Sequence, residues 1–140
     1  MNKKMLSVKW WRQSLLSKEW RSIKDYPSYE VSCDGCVRSW RRRNRNSRVP
    51  TEPRSLKGTV NRSGHVVVNL YEGGSYKTAY VHRLVLEAFV GQCPPDMEAC
   101  HNDGVATNNH VDNLRWDTRQ SNVQDMIRHG VYNGCARVVV

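Results

Sequence analysis

"EACHNDGVATNNHVDNLRW", residues 98–116, sets two histidines, four asparagines and two aspartates between an apolar lead-in and a Leu-Arg-Trp. Asn and Asp gather in turns because their short side chains bond nearby backbone and tolerate left-handed conformations. The stretch therefore reads as a long polar loop, yet His101 stands directly behind Cys100, and Asn113-Leu114 follows at a fixed distance before a helix. His101 closes one predicted strand and Asn113 opens a second, "NLRW" (113–116). "DTRQSNVQDMIRHG" (117–130) then reads as a helix, with Asp117 or Thr118 as N-cap, Gly130 as C-terminal stop, and Val123, Met126 and Ile127 on an apolar side. The unit is a small ββα.

Upstream, "GHVVVNLYEGGSYKTAYVH" (64–82) reads as a β-hairpin, with β-branched and aromatic residues on both sides of Glu72-Gly73-Gly74-Ser75. "RLVLEAFVG" (83–91) has helical spacing, with Leu84, Val85, Ala88 and Phe89 on one side and Gly91 as a stop. "YEVSCDGCVRSW" (29–40) is an earlier hairpin, Val31 and Val37 flanking the turn dipeptide Asp34-Gly35. Between the hairpins, "RRRNRNSRVPTEPRSLKG" (41–58) has two prolines, little apolar content and many arginines, and reads as a loop or linker that a partner could order. Residues 6–20 offer an imperfect amphipathic helix through Leu6, Trp10, Leu15 and Leu16, and the tail beyond 130 a strand or frayed end. The fold class is α+β without an internal repeat. It divides into an N-terminal extension (1–18), a β-hairpin module with a basic arginine loop (19–58), a ββα-containing domain (59–130) and a C-terminal tail (131–140).

At 140 residues the chain fits one small domain, or one with an N-terminal attachment. No apolar run is long enough to span a bilayer, and Lys9, Arg12 and Lys18 interrupt the N-terminal apolar residues, which argues against a secretory signal. Five cysteines at irregular spacing make no disulfide framework, so a reducing cytoplasm is expected. The formal charge of +9 makes nucleic acid the leading partner, since a positive surface concentrates and captures polyanions. Arg38, Arg41, Arg42, Arg43, Arg45 and Arg48 are the main electrostatic footprint, in a segment free of acidic residues from 38 to 51, and Arg54, Lys57 and Arg62 could extend it. Phosphate contacts of this kind position a protein without selecting sequence.

A ββα arrangement can aim a histidine from a strand and an oxygen ligand from a helix at one point. Phosphodiester hydrolysis needs that combination: an imidazole that takes a proton from water near pH 7, and a divalent ion that stabilises charge on the phosphate and the departing oxygen. The bland alternative makes His101 a surface histidine and gives Asn113 and Asn122 to turn and helix capping. Spacing alone leaves both open. His82, leading into an apolar helix, reads as a packed structural residue, and Cys33 and Cys36 as small residues flanking a turn. Trp10, Trp11, Trp20, Trp40 and Trp116 read as packing surface, although Trp40 stands beside the arginines and could meet DNA.

"VHRLVLEAF", "ACHNDGVATNNHVDNLRW" and "TRQSNVQDMIRHG" together resemble the HNH endonucleases of the His-Me finger class, in particular the small phage and intron-encoded homing-type nucleases. Trp20-Arg-Ser-Ile23, Tyr29-Glu-Val-Ser32 and Gly35-Cys-Val-Arg-Ser39 are similar to the short module often found ahead of that nuclease domain. The two resemblances cover roughly residues 19–130, in the expected order. They imply a ββα-metal fold that holds one divalent ion and contacts the minor groove of double-stranded DNA. His101 takes the place of the general base, Asn113 that of the residue supporting the catalytic loop, and Asn122 that of the metal-binding helix residue. They also imply a phage-encoded protein acting in the cytoplasm of a bacterial host.

One position departs from the pattern. The residue before the general base is usually Asp or Asn and supplies the other metal ligand; here it is Cys100. Thiolates suit zinc and match magnesium poorly. Cys100 could bind a softer ion such as zinc or manganese, Asp103 could substitute, or Asn122 with phosphate and water could hold the metal weakly; the ion expected is Mg²⁺ or Mn²⁺, with Zn²⁺ open because of Cys100. The competing reading is a non-catalytic, basic DNA-binding module, with or without a structural zinc. A redox or metal-storage role would leave the arginine loop unexplained.

Overall fold

The computed structural model describes residues 18–130. The predicted helix over 6–20 therefore lies almost entirely outside the described residues, as does the tail from 131. Trp20, the last residue of that predicted helix, instead opens a strand, β1 (Trp20–Ile23), which turns at Asp25 (φ 64°) into β2 (Tyr26–Ser32). β3 (Val37–Ser39) pairs antiparallel with β2 in the register Val31↔Val37, the hairpin expected around Asp34-Gly35. Tyr29, Val31 and Val37 alternate inward and are almost fully buried, the period-2 pattern of a sheet with one wet face.

The arginine segment is not all loop. Arg54–Leu56 form β4, pairing Val37↔Leu56 and Ser39↔Arg54 and completing a four-stranded sheet. Three residues are too few to show alternation. What makes them a strand is the open edge of β3 and the packing of Leu56 against the core. Residues 41–53 thus form a long connection between two neighbouring strands rather than a linker between bodies.

β5 (Thr59–Val60), β6 (Val66–Glu72) and β7 (Ser75–Tyr80) form a second antiparallel sheet. Its hairpin closes with Glu72↔Ser75 opposed, so Gly73 and Gly74 alone make the turn, at φ 57° and 84°. Positive φ at both central residues is the type I′ geometry that matches strand twist, and Gly adopts it without steric cost. Helix α1 (Val81–Phe89) follows β7 directly, two residues earlier than the sequence spacing places it. Val81 and His82 go into the helix because both are buried there, with Leu84, Val85 and Leu86.

Helix α1 is the centre of the molecule. It packs on β1, β2, β6, β7, β8 and β9, and one hydrophobic cluster joins Ile23, Tyr29, Val31 and Val37 to Val68, Leu70, Leu86 and Leu114. That cluster draws on both sides of the boundary the sequence suggests at residue 58.

The last unit is β8 (Met97–His101), a 3-10 turn (Val111–Asn113), β9 (Leu114–Thr118) and helix α2 (Arg119–Arg128), the ββα expected. Asn113 belongs to the 3-10 turn rather than to the strand, because its side chain is engaged with the loop it closes. Thr118 caps α2, its hydroxyl accepting from the backbone N–H of Ser121. The predicted apolar face of α2 is thin: Ile127 is 56% exposed, and the buried residue is Asp125. Arg115 on β9 draws that carboxylate inward, so α2 is held by an ion pair as much as by apolar contact. Among the described residues no helix is long and apolar enough to cross a membrane.

Candidate active site

His101 is the last residue of β8, opposite Leu114 of β9. Its Nε2–H donates to Asn109 Oδ1 over 2.9 Å, and Asn109 is itself buried. A proton on Nε2 leaves Nδ1 as the basic nitrogen, since the bond at one ring nitrogen fixes the tautomer of the other.

Asn109 is in turn fixed by the β2–β3 hairpin. Gly35, at φ 84°, approaches so closely that a Cβ there would lie 2.8 Å from Asn109 Cβ and 3.2 Å from its carbonyl oxygen. Val111 N–H donates to Cys33 O at 2.8 Å, which joins the same turn to the polar loop. In the sequence Asp34-Gly35 signals only a turn; its contact with the histidine's partner joins residues far apart in the chain.

Asn113 closes the loop. Its side-chain amide donates to Asp103 Oδ1 and to Asn108 O, each at 2.9 Å, and its Oδ1 accepts from Asp103 N–H at 3.1 Å. Asp103 also accepts from Asn108 Nδ2 at 2.7 Å, and Val105 N–H donates to it at 2.8 Å. These bonds, that from Asn108 first, hold the Asp103 carboxyl below its usual range. Both oxygens of this carboxylate thus accept bonds from within the loop.

Cys100 points away from solvent, at 1% exposure, its thiol donating to Glu98 O at 3.6 Å. Burial pushes that thiol up to about 11, so it is protonated at neutral pH. Asn122, on α2, donates through Nδ2 to Glu98 Oε1 at 2.6 Å. Among the described residues no group of three or more His, Cys, Asp or Glu side chains is arranged to hold a metal ion.

The cleft beside His101 is open. Ser63, His65, Ala99, Asn122, Asp125 and His129 share it with His101, and its continuation takes in His82 and Glu98. Three imidazoles meet there: the ring centre of His82 lies 5.0 Å from that of His101 and 4.9 Å from that of His65, and His65 lies 5.7 Å from His101. Burial above all, then the neighbouring His101, His65 and Arg83, lowers His82 to about 3, so it stays neutral. Burial and His101 also lower His65. His82 is a packed residue, as its place before an apolar helix indicated. His65 had no signal, because a lone histidine ahead of a strand has no spacing that ties it to His101.

Arg115 organises the far wall. It donates to Asp117 Oδ2 at 2.8 Å, to Asn102 Oδ1 and to Asp125 Oδ2, joining β9, the loop and α2. Asp117, bonded to Arg115 and Ser121 and accepting from Thr118 N–H, is held down to about 2.

The six arginines separate into two kinds. Arg38 is engaged internally: it pairs with Glu30 at 2.6 Å and lies 4.0 Å from the Trp20 ring centre. Trp40 donates to that same Glu30. Arg41 is half-buried beside Tyr29 and Tyr71. Arg42, Arg43, Arg45 and Arg48 are exposed, and among the described residues none of them enters an ion pair. Arg41, Arg43, Arg48 and Arg54 line one shallow groove, and Arg42 and Arg45 line another with Trp40. Cys33 and Cys36 flank the β2–β3 turn as expected, with Cys36 Sγ accepting from Lys18.

Comparison with known proteins adds to this geometry. Residues 79–124 match the family described as HNH endonuclease. The DNA endonuclease I-HmuI of Bacillus phage SP01 is 34% identical over 116 residues, covering 82% of this chain and 61% of its own length. An uncharacterized HNH endonuclease of Acanthamoeba polyphaga mimivirus, L245, is 29% identical over 81% of this chain and 31% of its own. A solved structure described as "DNA binding and cleavage by the HNH homing endonuclease I-HmuI" superposes with a TM-score of 0.68 at 33% identity, over 83% of this chain and 62% of that one. The chain spans about three fifths of the length of I-HmuI and under a third of the mimivirus protein. By sequence and by fold the chain is a relative of the phage homing endonuclease I-HmuI, and its residues 79–124 belong to the HNH endonuclease family.

Proposed function

We propose that this chain is a metal-dependent DNA endonuclease that hydrolyses phosphodiester bonds with His101 as general base. The observation that carries the reading is the tether of His101 Nε2 to Asn109, which in a neutral ring gives Nδ1 the free lone pair, in a residue that lines one cleft with Asn122. A water in that cleft can give its proton to Nδ1 as it attacks phosphorus. Asn113 keeps the loop between β8 and β9 closed, and so keeps Asn109 and the imidazole in register. The neutral His82 packs against His101 without adding a second charge.

HNH nucleases generally use a divalent ion, and the donors here decide which kind fits. The amide oxygen of Asn122 and the carboxylate of Glu98 are hard donors suited to Mg²⁺ or Mn²⁺. A zinc site through Cys100 would have to displace the proton of a buried thiol whose nearest partner is the Glu98 carbonyl. Bound there, the ion would stabilise charge on the phosphate and on the leaving oxygen.

Double-stranded DNA is the proposed substrate, with phosphates met by Arg42, Arg43, Arg45 and Arg48 and the rim of their grooves. Arg38 supports this surface from within through Glu30 and the tryptophans.

The test is conversion of supercoiled plasmid to nicked or linear DNA without metal and with Mg²⁺, Mn²⁺ or Zn²⁺. His101→Ala should slow cleavage by about 10²–10⁴-fold, the usual cost of losing a general base, while leaving DNA binding measurable. Equal cleavage by the mutant removes His101 from its role. Binding without cleavage under any ion would favour the alternative of a DNA-binding module, for which the buried Cys100 at the expected ligand position is the supporting observation.

A further inference from the structure

The residue before His101 is a buried cysteine rather than a carboxylate or amide, so the metal site that the resemblance implies lacks one oxygen in this chain. Building on the nuclease reading, we propose that Glu98 replaces it, binding the divalent ion together with Asn122. Glu98 stands two residues before Cys100 on β8, and strand alternation puts positions two apart on the same face. It can therefore approach from the side on which the usual ligand would stand.

Its carboxylate already reaches the expected helix ligand. Asn122 Nδ2 and Glu98 Oε1 are 2.6 Å apart, a contact from β8 to α2 across 24 residues. Ligand oxygens at adjacent positions of an octahedral ion lie about 3 Å apart, given metal–oxygen distances of about 2.1 Å. Turning the Asn122 amide to present Oδ1 would convert this hydrogen-bonded pair into two hard ligands at nearly the right separation. A magnesium-type ion needs only one or two protein carboxylates, with water and substrate phosphate completing the shell.

The neighbouring carboxylates are engaged elsewhere. Asp103 is held by Asn108, Asn113 and Val105, and Asp117 and Asp125 are paired with Arg115. Among the described residues Glu98 enters no ion pair, and it lines a cleft with His65, His82, Arg83 and Asn122.

Mn²⁺ titrated into the ¹⁵N-labelled 140-residue chain, without DNA, tests this by paramagnetic line broadening, which reports weak sites. Wild type should show broadening confined to amides of β8 and the first two turns of α2. Glu98→Gln keeps the shape and loses the charge, and should raise the Mn²⁺ needed for equal broadening at least tenfold; Asn122→Ser should do likewise from the helix side. Cys100→Ser should respond as wild type. An unchanged response in Glu98→Gln or in Asn122→Ser, loss of the response in Cys100→Ser, or no localised broadening in wild type would each overturn the proposal. Plasmid cleavage is read separately: a chain that binds Mn²⁺ through Glu98 and never cuts DNA would refute the nuclease reading and leave this site standing.

Discussion

Gly35 shows how a residue remote in sequence can set the geometry of the candidate base. Its φ of 84° is unfavourable for a side chain, and an added Cβ would press on Asn109, which holds His101 Nε2. Gly35→Ala should therefore cost about 1–2 kcal/mol in backbone strain and also displace the imidazole. Misplacement on the order of 1 Å can cost about 10²-fold in rate, so cleavage should fall by more than stability alone explains. Plasmid cleavage well below the melting temperature checks this; a mutant that is less stable yet cuts at the wild-type rate would mean that the turn does not position His101.

At the scale of elements, α1 holds the sheets together. Leu86 is fully buried at the helix centre, within the cluster that both larger sheets and Leu114 of β9 share. Leu86→Ala should destabilise by about 2–5 kcal/mol, the range for a large-to-small change in a packed core. Urea unfolding should show one shifted transition if the N-terminal hairpins and the ββα unit unfold together. Two separate transitions would mean that the shared cluster does not couple them. Helix α2 is held differently, through Arg115 and the Thr118 cap, so its attachment depends on polar contacts more than on buried apolar area.

Over the whole molecule, charge governs two responses. DNA affinity should fall with salt, and replacing Arg42, Arg43 and Arg45 together with Ala should reduce the log–log slope by about 2–3, at roughly 0.9 per lost phosphate contact. Filter binding across a salt series measures it; an unchanged slope would move the DNA surface elsewhere. Stability should depend on the histidine cluster. His82 is lowered to about 3 in the folded chain, so protonation favours the unfolded state. Its contribution is complete above about pH 6.5 and is lost as pH falls toward 3, by up to about 1.4 kcal/mol per pH unit. His65 acts in the same direction. Denaturant midpoints between pH 7 and 4.5, above the range where the depressed Asp117 and Asp125 titrate, should fall steeply in wild type and less in His82→Gln.

The sequence by itself determined the elements whose signals are local. Asp34-Gly35 and Gly73-Gly74 specify hairpin turns, the spacing of Leu84, Val85 and Ala88 specifies a helix, and His101, Asn113 and Asn122 stand at the intervals of a ββα unit. Strand β4 escaped it because three residues carry no period, and their pairing depends on the edge of β3. The tertiary structure alone decided which side chains meet: Gly35 against Asn109, Asn109 against His101, Glu98 against Asn122, and Arg115 against Asp125. It also assigned Arg38 to a half-buried support and left Arg42, Arg43, Arg45 and Arg48 exposed, although all six arginines look alike in sequence. The physical reason is that local conformation follows from neighbouring residues, whereas partners and burial follow from how the elements pack around α1.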